Sequence, residues 1–95
     1  MKLNLQPLME VGRRKSAVIK IDYKTIIGIL GEPNTTKLDD PYSVKAAWGF
    51  RCPETKRKLF VWCFKYPTAE SCDNWSADGD LSLLKDVFGT RVSQY

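Results

Sequence analysis

Two strand-like runs, residues 43–51 and 58–66, are joined by a short, positively charged turn, and they constrain this chain more than any other feature. In the first run, apolar residues alternate with residues that are polar or small. This period of two places Trp48 and Phe50 on the same side of a strand. The second run is apolar on both sides, which is typical of a strand that is covered on both faces. Pro53 in the connection favours a tight turn. The pattern therefore predicts an antiparallel β-hairpin.

The residues before the hairpin predict a strand followed by a helix. Residues 16–21 are mostly β-branched and apolar, which favours a short strand. Asp22 then stands where a helix N-cap belongs, and isoleucine and leucine side chains recur at helical spacing over residues 23–30. Gly31 follows at the position of a left-handed C-cap.

The residues after the hairpin predict a short strand and a closing helix. Residues 74–77 favour a short strand, and the aspartates just before Leu81 favour a helix start. Residues 81–88 carry an apolar stripe at helical spacing, and Gly89 is placed to end that helix. Residues 90–95 are expected to form a loose tail.

These elements predict a single α+β domain over residues 1–95. We expect a small antiparallel or mixed sheet of about three or four strands, in the order β-α-β-β-β-α, with two short helices on one face. Residues 1–14 are expected to form a flexible basic N-terminal arm. The longest apolar runs fall well short of a membrane span, and the first residues lack the pattern of a signal peptide, so a cytoplasmic location is expected.

The residue types argue against an enzyme and against a metal site. The chain contains no histidine, the commonest general base, and it lacks the glycine-rich and nucleophile motifs of common enzyme classes. Its three cysteines have no C-x-x-C spacing, so a zinc site would need an unusual ligand set. Asp78 and Asp80 have a spacing that can hold magnesium, but capping of the final helix is the favoured interpretation. We expect no catalytic residue, no metal and no cofactor.

Two of the cysteines invite separate predictions. Cys63 lies in the apolar second run and is expected to be a small core residue. Cys52 lies beside Arg51 and near Lys56, and positive neighbours favour the thiolate, so some reactivity is expected there.

Charge is the strongest functional signal in the sequence. The net charge is +4, and residues 45–65 carry six lysines and arginines against one glutamate, whereas residues 66–95 carry an excess of acidic residues. A basic hairpin and arm set against an acidic final helix predict a dipolar molecule that attracts phosphate groups or acidic protein surfaces. The alternative interpretation is that these charges only solubilise a hairpin tip. The candidate binding residues are Arg13, Arg14, Lys15, Lys45, Arg51, Lys56, Arg57, Lys58 and Trp75.

The tryptophans admit two interpretations each. Trp48 and Trp62 are suited to stack on a nucleic-acid base, but core packing is favoured, most clearly for Trp48 because it shares a strand face with Phe50. Trp75 is flanked by polar residues just before the final helix. Core placement is favoured for it as well, and an exposed Trp75 would be the best candidate for an interface anchor.

The order of elements and a few short motifs resemble small uncharacterised α+β proteins of bacteriophages. The resemblance rests on a short helix ending in Leu30-Gly31-Glu32-Pro33-Asn34, an acidic loop, a tryptophan-containing strand, a hairpin, and a closing helix after Trp75-Ser76-Ala77-Asp78-Gly79. The last motif departs from the doubled glycine that is usual in those proteins. The resemblance implies a phage accessory protein, a class that includes inhibitors of host machinery or host defence and sponges for nucleotide signals.

Two hypotheses of function follow. The first is a non-enzymatic inhibitor, for example of the anti-CRISPR type, that binds a host protein or ribonucleoprotein complex through its basic surface. The alternative is a nucleotide-signal sponge or a nucleic-acid-binding protein that uses the basic hairpin and the N-terminal arm. We expect either a monomer or a homodimer, with no membrane partner.

Overall fold

The computed structural model describes residues 5–8, 14–34, 46–63 and 66–94, and these residues form a six-stranded sheet with two α-helices. The strands are β1 (Gln6–Pro7), β2 (Ala17–Lys20), β3 (Ala47–Cys52), β4 (Arg57–Trp62), β5 (Asn74–Gly79) and β6 (Val92–Gln94), and the helices are α1 (Tyr23–Leu30) and α2 (Leu81–Phe88). Short 3-10 helices lie at Ala69–Ser71 and Gly89–Arg91. The α+β class predicted from the sequence is confirmed.

The strands lie in the order β1-β3-β4-β5-β2-β6, and every neighbouring pair is antiparallel. The predicted hairpin is β3 and β4, in which Trp48 lies opposite Val61. Its turn ends at Lys56, which has a positive φ of 60°. Residues 43–45 and 64–65 of the two predicted runs lie outside the described residues.

The prediction of three or four strands is wrong, because two short edge strands complete the sheet. Residues 92–94, expected to be a loose tail, form β6, in which the buried Val92 lies opposite Ile19 of β2. Within the expected N-terminal arm, Gln6 and Pro7 pair with β3. A strand of two or three residues is too short to show a period of two, so its signal comes from the pairing partner.

Both helices pack on one face of the sheet, as predicted. Ile26 of α1 and four residues of α2 belong to the same hydrophobic core as the inward-facing strand residues. Alternate residues of each strand supply that inner face, since successive side chains of a strand point to opposite sides. The buried core residues of the strands are Ala17, Ile19, Trp48, Phe50, Cys52, Leu59, Val61, Trp75, Ala77 and Val92.

Two buried tryptophans hold α1 on the sheet. The indole Nε1 of Trp75 donates a hydrogen bond of 2.9 Å to the carbonyl of Ile21, just before α1. The indole Nε1 of Trp48 donates one of 2.9 Å to the carbonyl of Gly31, just after it. The two rings meet edge to face with centroids 5.2 Å apart, and Tyr23 of α1 stacks on Trp75 at 6.0 Å. The favoured core placement of both tryptophans is confirmed.

The ends of both helices match the sequence prediction. Asp80 accepts a hydrogen bond of 2.9 Å from the backbone N–H of Leu83, so it caps α2. Asp22 is the N-cap residue of α1, but its carboxylate accepts from the Thr25 hydroxyl rather than from a backbone N–H. That hydrogen bond lowers the pKa of Asp22.

We expect Trp75→Phe to lower the free energy of unfolding by about 1–3 kcal/mol, because it removes the hydrogen bond to the Ile21 carbonyl in a buried setting. Urea denaturation followed by circular dichroism measures the change. Trp62→Phe is the matched control, since Trp62 is only half-buried, and its effect should stay under about 1 kcal/mol. Equal effects of the two substitutions would contradict the role given to Trp75.

Two glycines should respond to alanine in opposite ways. Gly79 has a φ of +105°, and an added Cβ would lie 2.3 Å from the carbonyl oxygen of Lys58, so Gly79→Ala should destabilise the fold. Gly28 lies inside α1, and an added Cβ there would meet nothing within 4 Å. Gly28→Ala should therefore stabilise the protein by about 0.5–1 kcal/mol in the same denaturation measurement.

Candidate functional site

The side of the sheet that faces away from the helices, called here the outer face, carries the features most suited to binding. It consists of the strand residues that alternate with those of the core, and their positions follow from the strand registers. From β2 to β5 these residues are Val18, Lys20, Ala47, Gly49, Arg51, Lys58, Phe60, Trp62, Asn74, Ser76 and Asp78.

An aromatic side chain lies near the centre of the outer face. Trp62 is flanked by Ala47 on β3 and Ser76 on β5, which are its register partners. Its neighbour Phe60 is buried, whereas Trp62 is only half-buried. Trp48 and Trp75 are fully buried. Trp62 is therefore the tryptophan that can contact another molecule, and the core placement favoured for it from the sequence is wrong.

Cations flank this aromatic centre at both ends of the strands. Arg51 and Lys58 lie directly opposite each other on β3 and β4, and both are exposed. The pair therefore concentrates positive charge at this end of the face. Arg51 also donates a hydrogen bond of 3.5 Å to the side chain of Gln6. At the other end of the face, the exposed Lys20 lies opposite Asn74.

Arg57, another predicted binding residue, is engaged within the protein. Its guanidinium lies 3.5 Å from a carboxylate oxygen of Asp80 and 3.9 Å from one of Asp86, and it donates a hydrogen bond of 3.1 Å to the Thr55 hydroxyl. The hairpin thus contacts the N-cap residue and one aspartate of α2. The start of β4 and the start of α2 therefore lie side by side.

Asp78 differs most from its sequence-based interpretation. It was expected to serve the start of the final helix, but it lies in β5 on the outer face. Its carboxylate accepts hydrogen bonds of 3.2 Å from the backbone N–H of Arg14 and from the hydroxyl of Ser16, and one of 2.8 Å from the backbone N–H of Gly79. Asp78 therefore ties the basic residues before β2 to the sheet.

The remaining predicted binding residues divide into three groups. Arg14 and Lys56 are exposed and Lys15 is half-buried. Trp75 is fully buried and hydrogen-bonded, so it cannot serve as a surface anchor. Arg13 and Lys45 lie outside the described residues.

All three cysteines are free thiols and all are buried, which confirms the core placement of Cys63. Hydrogen bonds from Thr55, rather than the neighbouring cations, lower the pKa of Cys52, whose side chain belongs to the core. A hydrogen bond with Cys63, together with burial, raises the pKa of Cys72. A thiol that is buried and resists deprotonation is a poor nucleophile.

Comparison with protein-family models, with curated proteins and with solved structures finds no match to this chain. Within the described residues, no helix has the length and apolar character needed to cross a bilayer. Any assignment of function to the outer face therefore rests on its own residues.

The exposure and charge around Trp62 can be measured by fluorescence quenching. We expect iodide to quench the protein more strongly than caesium does, because cations flank the one half-exposed tryptophan of the described residues. Trp62→Phe should remove most of the quenching by either ion. Arg51→Glu with Lys58→Glu should reduce the preference for iodide. Equal quenching by the two ions in the wild-type protein would contradict a basic environment at Trp62.

Proposed function

We propose that this chain is a non-enzymatic binding protein whose outer face docks onto an acidic surface of a partner protein. In the setting that the phage-protein resemblance implies, the partner is a host protein or ribonucleoprotein complex, and binding inhibits it. The observation that carries the proposal is the half-exposed Trp62 at the centre of the outer face, with exposed cations toward both ends.

This arrangement resembles the anatomy of protein interfaces. Such interfaces place aromatic residues and arginine near the centre, and a tryptophan that becomes buried on binding often contributes a large share of the affinity. The opposed pair Arg51 and Lys58 adds charge that an acidic partner would complement, which speeds association and favours the correct partner.

A second candidate function is binding of a phosphate ligand, either a nucleotide or a nucleic acid. The presence of Trp62 and the Arg51–Lys58 pair on one face favours it, since a base can stack on an indole while cations contact phosphates. One observation favours a protein instead, because Phe60 is too buried to stack on a second base.

The proposal is tested with two double variants that change the net charge equally. Arg51→Glu with Lys58→Glu reverses charge on the outer face, whereas Lys24→Glu with Lys85→Glu does so at exposed positions of α1 and α2. Tagged proteins are incubated with nuclease-treated bacterial lysate at low salt, and the retained proteins are quantified by mass spectrometry. We expect the outer-face variant and Trp62→Ala to recover the specific partner about tenfold less than the wild type does, and the helix variant to recover it equally.

Circular dichroism and urea denaturation confirm that each variant is folded. Equal recovery by the outer-face and helix variants would contradict the proposal. Native mass spectrometry of the purified protein decides the second candidate, because a nucleotide or oligonucleotide released on denaturation would favour a phosphate ligand. Binding of such a ligand would also weaken steeply as the salt concentration rises.

A further inference from the structure

We infer that Asp78 joins two separate basic segments into one composite surface, so that this acidic residue promotes binding of an acidic polypeptide. The two segments are residues 14–16, before β2, and residues 56–58, at the start of β4. The inference rests on the proposed function and adds to it the part played by the N-terminal segment and by Asp78.

Sheet topology brings the two segments to the same end of the molecule. β2 and β4 are each antiparallel to β5, so they run parallel to one another and begin at the same end of the sheet. Residues 14–16 and 56–58 therefore converge there, although they are far apart in the sequence. Ser16 extends the pairing of β2 by donating a backbone hydrogen bond of 2.9 Å to Ala77 of β5.

Asp78 provides the connection between the segments. Its Oδ2 accepts the Arg14 backbone N–H and its Oδ1 accepts the Ser16 hydroxyl, each at 3.2 Å. Because the bond to Arg14 uses the backbone, it does not consume the guanidinium group, and Arg14 is exposed. The carboxylate thus fixes the position of the chain while it leaves this side chain's charge for a partner.

The hairpin cations lie close to that connection. Asp78 is the register partner of Phe60, and Lys58 is two residues from Phe60 on the same face of β4. Such diagonal neighbours on adjacent strands are about 7–8 Å apart. Lys58 in turn lies opposite Arg51. The carboxylate is therefore bonded to one segment and lies one diagonal position from Lys58 of the other.

The charge of Asp78 and its hydrogen bonds predict opposite effects of Asp78→Asn on the affinity for an acidic partner. If only charge mattered, the loss of a negative group from the face should strengthen binding to an acidic partner. If Asp78 assembles the surface, the substitution should weaken binding. The one oxygen of asparagine best replaces Oδ1, which accepts from Ser16 and Gly79, and the amide nitrogen left at the position of Oδ2 cannot accept from Arg14.

The first measurement follows the segment itself and needs no partner. Amide hydrogen exchange at Arg14 should become about tenfold faster in Asp78→Asn, because its hydrogen-bond acceptor is lost. Ser16→Ala keeps the charge of Asp78 and removes one of its hydrogen bonds, so it should shift the exchange in the same direction by less. Ser82→Ala, at an exposed position of α2 away from the outer face, is the control that should leave exchange at Arg14 unchanged.

The second measurement uses poly-glutamate as an acidic polypeptide, titrated at low salt while Trp62 emission is recorded. We expect Asp78→Asn to bind it about three- to tenfold more weakly than the wild type, and Ser82→Ala to bind it equally. Unchanged exchange at Arg14, or binding by Asp78→Asn that is as tight as the wild type or tighter, would overturn the inference. If Asp78→Asn does not fold, Ser16→Ala decides by the same two readouts.

Failure of the proposed function would give a different experimental result. If the wild-type protein does not bind poly-glutamate, the acidic-partner proposal fails, and with it the binding half of this inference. The exchange measurement then still decides whether Asp78 holds residues 14–16 on the sheet.

Discussion

Two hydrogen bonds from buried indoles hold this fold in its arrangement. Trp75 and Trp48 donate to the carbonyls of Ile21 and Gly31, which flank α1, so the buried indole N–H groups are satisfied and both ends of the helix are attached to the sheet. An eight-residue helix is not stable alone in water, so α1 depends on this attachment and on its apolar contacts. Because α1 and α2 both cover the inner face, Trp62 and the exposed Arg51 and Lys58 lie on the opposite face of the sheet.

Local signals in the sequence predict the elements that local interactions define. The bounds of both helices are those expected from their caps and apolar spacing, and the β3–β4 hairpin follows from its alternation and its turn. The strands β1 and β6 could not be predicted in this way. Val92 is the one apolar residue of β6, and its burial depends on Ile19, which lies at the opposite end of the chain.

In the candidate site, too, local sequence patterns predict some features and the tertiary fold decides the others. The charged residues could be found from composition alone, but their partners could not, because Arg57 meets Asp86 and Asp78 meets Arg14 only through the tertiary fold. Strand β4 is apolar on both sides, so the periodicity of its sequence gives no reason to assign Trp62 to the outer face. The register of β4 against β3, which sets Val61 against Trp48, decides it.

The position of β2 between β5 and β6 also bears on how the chain folds during synthesis. β2 is made early, yet its neighbours in the sheet are residues 74–79 and 92–94. The β3–β4 hairpin can form as soon as it emerges from the ribosome, whereas β2 has to wait for partners that are translated much later. Until residues 92–94 emerge, one edge of β2 presents unpaired backbone groups, which is the kind of edge that chaperones shield and that neighbouring chains can pair with.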